Sequence, residues 1–347
     1  MRIIVILLSL LTILSVPVFA QDITPPKVPK DGEIYMPEDT ESFGDGLWHI
    51  VKVAMSKLEP SLAEAGKTCA GVIAITLLLS VINSFSGETK NIVNMAGTVA
   101  IGIVLIQSTN SLLHLAITTI DSISGYSKLF LPIITTAVAA QGGITTATAL
   151  YTGTSIFCTF LTTLISKVIV PIVYVFTAIC IANSSVDNHL LSNLKKFLKW
   201  LITWSLKVVI YVFTAYISIT GVISGSADAT AIKATKIALS GVVPVVGSII
   251  ADTSETLLIS ASTVKNTVGI YGLLAILAVS IGPFLQIAVQ SILLKGTAAV
   301  CRMFDSKQAV GLVSDFSDVM ALLLAMTGTI CLFLLISTVC FMKGVPV

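Results

Sequence analysis

Charged side chains are scarce in this chain: they make up 11% of its 347 residues, against roughly 25% in an ordinary soluble domain. Too few polar groups are present to cover a water-soluble globule of this size, and a mean hydropathy of +0.98 excludes that class. No basic stripe interleaved with aromatics accompanies the formal net charge of +2, so nucleic acid is not an expected partner. The six cysteines (Cys69, Cys158, Cys180, Cys301, Cys331 and Cys340) form no CxxC pair and lie mostly in apolar runs, where thiols behave as small hydrophobes. His49, His114 and His189 stand apart from each other and from any Cys or carboxylate at ligand spacing. Neither a disulfide framework nor a metal site is expected. A Gly-flanked Ser with a His or Lys at a recognisable offset is also missing, as are GxxxxGK[ST] and GxGxxG, so the chain is expected to be neither an enzyme nor a nucleotide binder, with no cofactor.

Long apolar runs dominate what is there. The expected fold is an all-α polytopic integral membrane protein with about six to eight transmembrane helices. Residues 1–20 have the order of a secretory signal peptide, with Arg2, an apolar run from Ile3 to Leu14, and Val18-Phe19-Ala20 before Gln21. Cleavage there would leave the mature N-terminus outside the cytoplasm. Residues 21–46 hold four prolines and little hydrophobic content, which predicts an extended extracytoplasmic tether. In 47–67, Leu47, Ile50, Val51, Ala54 and Leu58 recur at helical spacing. An amphipathic helix at the outer membrane face is predicted, packed on lipid, on a partner or on the protein's own outer loops.

The transmembrane domain would occupy 68–347. Its apolar segments run over about 68–85, 91–117, 129–150, 154–182, 200–224, 237–260, 264–294 and 319–342, each long enough for a core of roughly 30 Å. Two differ. Segment 129–150 is rich in Thr, Ala and Gly and contains Gln141; segment 237–260 carries Asp252 and Glu255. Pro132 and Pro244 occupy matching places in these two, and Pro171 and Pro283 follow each at the same distance, which suggests a weak internal repeat of the kind that builds many transporters. If both polar segments are re-entrant, the Lys195/Lys196/Lys199 cluster becomes cytoplasmic together with Lys295, Arg302 and Lys307, in line with the positive-inside tendency. The adjacent Gly142-Gly143 are read as small residues at a helix interface.

Asp252 and Glu255, three apart, would share a helix face. A carboxylate at the bilayer centre costs about 2.5–3.5 kcal/mol on insertion scales. These two are therefore expected to face an aqueous path or to pair with a cation. Lys167 and Lys207 are the candidate partners, being the clearest cations inside apolar runs. Asp252, Glu255, Lys167, Lys207 and Gln141 form the candidate pathway lining or charge network, with helix–helix packing as the alternative role.

The stretch "ALSGVVPVVGSIIADTSETLLISASTVKNTVGIYGLLAIL" and the later "GPFLQIAVQSILLKGTAAVCRMFDSKQAVGLVSDFS" resemble the stage III sporulation protein AE family of endospore-forming bacteria. The signal sequence, the polar mature N-terminus and the overall size fit the same family. The resemblance implies a permease-like membrane subunit in the mother-cell membrane around the forespore, required for spore development after engulfment. Its implied partners are membrane lipids, the other stage III sporulation A-operon proteins, including a secretion-type ATPase, and stage II sporulation protein Q on the forespore side. It offers no catalytic residues. From the residues alone, a self-contained secondary transporter and a structural anchor for extracytoplasmic partners remain alternative expectations.

Overall fold

A computed structural model describes residues 25–38, 42–86, 89–186, 189–242, 247–304 and 306–343, and side chains for all of these except 221–262. The signal-peptide segment 1–20 and Pro244 lie outside the described residues.

Every regular element described is helical. A single turn, α1 (Lys30–Glu33), precedes α2 (Phe43–Ser56) and α3 (Glu59–Phe85). Then come α4 (Lys90–Ala139), α5 (Ile144–Leu164), a π-turn (Ile165–Ile169), α6 (Val170–Val186), α7 (His189–Val242), α8 (Gly247–Arg302) and α9 (Lys307–Lys343). Among the described residues, six stretches are long and apolar enough to cross a membrane: 59–85, 90–139, 144–186, 189–220, 263–302 and 307–343. α4 alone has 50 residues, or about 75 Å at the helical rise. It is therefore more than twice as long as a hydrocarbon core is thick.

The eight apolar segments seen in the sequence are not eight separate helices. Segment 129–150 does not form one helix; a turn at Ala140–Gly142 divides it between the end of α4 and the start of α5. Gly142, with φ at 86°, supplies the left-handed residue that the turn needs. The adjacent glycines thus serve a turn, where helix packing was expected. Segment 237–260 spans the junction of α7 and α8 and includes 243–246, which lie outside the described residues.

Several helix ends gather at one end of the bundle. Asn83 Nδ2 donates to Asn94 Oδ1 (2.6 Å), joining α3 and α4 next to the loop between them. One recess is lined by residues from that loop region and from the α8–α9 connection, including Lys90, Phe304 and Ser306. A Cβ on Gly311, in the first turns of α9, would lie 3.9 Å from Ser184 Oγ, near the end of α6. Together these contacts bring the end of α3, the start of α4, the end of α6 and the start of α9 to the same end.

Residues 25–38, within the segment whose composition predicts an extended tether, lie on the bundle. Gly32 packs against Val279, Tyr35 approaches Gly282, and Ser122 Oγ donates to Asp31 Oδ2 at 3.3 Å. Pro29 is extended and leads into α1, and Val28, Tyr35 and Met36 of this segment find apolar neighbours. Ser42 caps α2 by accepting from the Asp45 N–H at 3.2 Å. The apolar stripe of α2 faces α8, where Ile50 (0% exposed) clusters with Leu274 and Ala278.

α8 and α9 are the most enclosed of the six stretches. Phe213 of α7 meets Phe333 of α9 with ring centroids 4.0 Å apart. The many threonines cost little here, because they return their protons to their own helix: Thr76 to Val72 O, Thr177 to Val173 O and Thr338 to Leu334 O, all at 2.8 Å. Others join helices, as Thr154 and Ser337 do at 2.7 Å.

Candidate functional site

The candidate residues fall into separate places. Asp252 and Glu255 lie in the first turns of α8, on continuous helix, and their side chains are outside the described residues. Lys167 sits in the π-turn and Lys207 in the middle of α7, and both side chains are exposed on the outside of the bundle. The π-turn has a local cause. Pro171 brings no N–H to the helix, so Val170 N–H reaches back five residues to Ile165 O. Gln141, at the α4–α5 turn, is 2% exposed, and neither its Oε1 nor its Nε2 has a hydrogen-bond partner.

Two ion pairs were not anticipated. Lys195 Nζ lies 2.8 Å from both carboxylate oxygens of Asp315, and Lys199 Nζ lies 2.7 Å from Asp318 Oδ2. They fasten the first turns of α7 to the first turns of α9. The spacing signal was available: Lys195 and Lys199 are four apart, Asp315 and Asp318 three apart, so each pair presents one helix face.

A polar recess of about 640 Å³ opens between α3, α4 and α8. Glu64, His114, Asn110, Gln286 and Gln290 line it with several serines. Gln290 is 3% exposed, and its Nε2 lacks a hydrogen-bond partner. His114 and Glu64, fifty positions apart in sequence, come to one recess because α3 and α4 form an antiparallel hairpin. No local motif could have joined them. Such a lining can hold water or a polar solute at the surface between the three helices. Among the described residues, no group of three His, Cys, Asp or Glu side chains is placed to hold a metal.

The sequence model of the stage III sporulation protein AE family matches residues 38–344. A curated relative, Stage III sporulation protein AE of Bacillus subtilis (strain 168), is 21% identical over 268 residues, covering 75% of this chain and 66% of the relative. The chain thus spans just under two thirds of that relative's length. No solved structure matches. With the family model matched across nearly all of the helical bundle, this chain belongs to the stage III sporulation protein AE family.

Proposed function

We propose that this chain is the membrane-embedded subunit of a transport complex linking mother cell and forespore during spore development. In this reading it crosses the mother-cell membrane six times, with Thr89, His189 and Ser306 on the cytoplasmic side and the mature N-terminus outside. It carries out no chemical step of its own. Energy comes from a secretion-type ATPase among its sister proteins, and stage II sporulation protein Q meets the assembly from the forespore side. The observation that carries the reading is the pairing of family membership with an apolar exterior. Leu78, Phe85, Ile92, Ile103, Ile156, Val175 and Tyr211, spread over five helices, are all exposed, as lipid-facing side chains are. The enclosed α8 and α9 would form the structural centre, with the peripheral helices facing lipid.

The test is purification of the tagged chain from sporulating cells, with reconstitution in liposomes alone and with its sister proteins. Co-purification with the partners, and solute flux only when they are present, is the expected result. Ion- or proton-coupled uptake by the chain alone would favour a self-contained secondary transporter, the second reading. The polar recess holding Glu64, His114 and Gln290 is the observation that favours it.

A further inference from the structure

At the loop end of the bundle, two recesses adjoin and share Ser306 and Lys307. The larger, about 560 Å³, is lined by Ser80, Asn83, Ser84, Lys90, Asn94, Phe304, Ser306, Lys307 and Gln308. The smaller, about 440 Å³, adds Arg302. Lys90, Arg302 and Lys307 therefore converge from two different connections, and all three are exposed. The neighbouring acids in sequence are Glu88 and Asp305, which lie outside the described residues, so cations outnumber acids even when both are counted. Ser306 O accepts from Val310 N–H (3.0 Å) as the first turn of α9 begins, and the free N–H groups of that turn add donors suited to an anion.

Two further features narrow the ligand. Asn83 Oδ1 and Gln308 Oε1 are buried and have no hydrogen-bond partner. A ligand for this place therefore brings hydroxyl donors as well as negative charge. Beside the recess, Leu77, Leu78, Val81, Ile82 and Phe85 of α3 are exposed, as are Ile92 and Met95 of α4. Leu77 lies on nearly the same side of α3 as Ser84, seven positions on. The apolar strip thus runs directly into the polar recess.

We propose that this recess binds the headgroup of an anionic glycerophospholipid of the phosphatidylglycerol type. The phosphate lies between Lys90 and Lys307, the glycerol hydroxyls donate to Gln308 and Asn83 after small side-chain rotations, and the acyl chains lie along the exposed face of α3 and α4. A basic recess between helix ends, bordered by apolar surface, suits a lipid better than a soluble anion, which would leave the strip unused. The site does not depend on assembly with partners, so its test is separate from that of the transport reading.

The experiment uses the full-length chain in nanodiscs of mixed phosphatidylglycerol, phosphatidic acid and phosphatidylcholine, with native mass spectrometry of the lipids retained after release. Wild type is expected to retain phosphatidylglycerol above the other two. Lys90→Gln/Lys307→Gln should lower that retention by about fivefold for each lysine removed. Lys196→Gln/Lys295→Gln, which alters exposed lysines outside the recess, should leave it unchanged. Gln308→Leu should erase the preference over phosphatidic acid, which lacks the second glycerol. Thermal melting in phosphatidylcholine nanodiscs checks that each variant is folded. Equal retention in wild type and the Lys90/Lys307 variant overturns the site, as does an equal loss in the control variant. Displacement of the lipid by millimolar sn-glycerol 3-phosphate would overturn the lipid assignment in favour of a soluble ligand.

Discussion

Lys195 and Asp315, 120 residues apart, form a two-pronged ion pair, with the ammonium 2.8 Å from each carboxylate oxygen. The side chains keep only 21% and 10% of their accessibility, so the pair is largely withdrawn from solvent. Removing one member of such a pair strands the other charge, which costs about 3–5 kcal/mol when burial is complete. Lys195→Met is expected to lower membrane abundance and thermal stability in detergent, and Lys195→Met/Asp315→Leu to recover much of the loss. The neighbouring Lys199–Asp318 pair is far more exposed, at 45% and 39%, and Lys199→Met should cost at most about 1 kcal/mol. Equal effects at the two positions would refute the ranking.

The gathering of the ends of α3, α4, α6 and α9 on one side makes topology testable as a set. With the native cysteines replaced, single cysteines at Thr89 and Asn193, both exposed, should resist a membrane-impermeant thiol reagent in intact cells. A cysteine at Ile144, exposed beside the α4–α5 turn, should react. Any outcome in which Thr89 and Asn193 behave differently would contradict the antiparallel arrangement itself. Protection of Ile144 alone would instead indicate that the α4–α5 turn stops within the membrane.

Ile50 and Trp48 separate the two faces of α2. Ile50 is fully enclosed against α8, whereas Trp48 is 71% exposed. Ile50→Asp buries an unpaired carboxylate, and its destabilisation should exceed the roughly 2–5 kcal/mol of an aliphatic truncation at a buried site. Trp48→Ser should leave abundance near wild type. Reduced sporulation in the Trp48 variant at normal abundance would identify that outward face as a contact with lipid or a partner.

Much of the bundle was legible because hydropathy directly reports the free energy of placing a helix in lipid. The apolar stripe on α2 was equally plain, since Leu47, Ile50 and Ala54 obey the helical period. What the sequence concealed was contact between distant elements. Asp315 and Asp318 gave no sign in the sequence of which cations they meet; α7 supplies Lys195 and Lys199. His114 read as isolated until the α3–α4 hairpin brought Glu64 to its recess. Gly142-Gly143 misled for a different reason: small residues suit both close helix packing and left-handed turns, and only backbone geometry separates the two uses. The 25–38 segment is a related case, because low hydrophobic content does not prevent a few well-spaced side chains from docking.

The carboxylates of α8 provide the remaining prediction. Asp252 and Glu255 follow helical spacing, while their proposed partners Lys167 and Lys207 face outward from the bundle. Exposed lysines with long stems can carry their ammonium groups toward an interface, so neither needs an acid to be tolerated. Lys167→Met and Lys207→Met are therefore expected to leave membrane abundance unchanged. If the two acids line an aqueous path, Asp252→Asn/Glu255→Gln should abolish sporulation at normal abundance, and Asp252→Glu should retain function because a carboxylate remains. If they are instead buried partners of either lysine, the double neutral variant should lose abundance, and adding the matching Lys→Met change should restore it. Membrane abundance and spore counts across these variants separate the cases. Rescue by a lysine change would establish the ion pair, whereas full activity in the double neutral variant would remove both roles from the two acids.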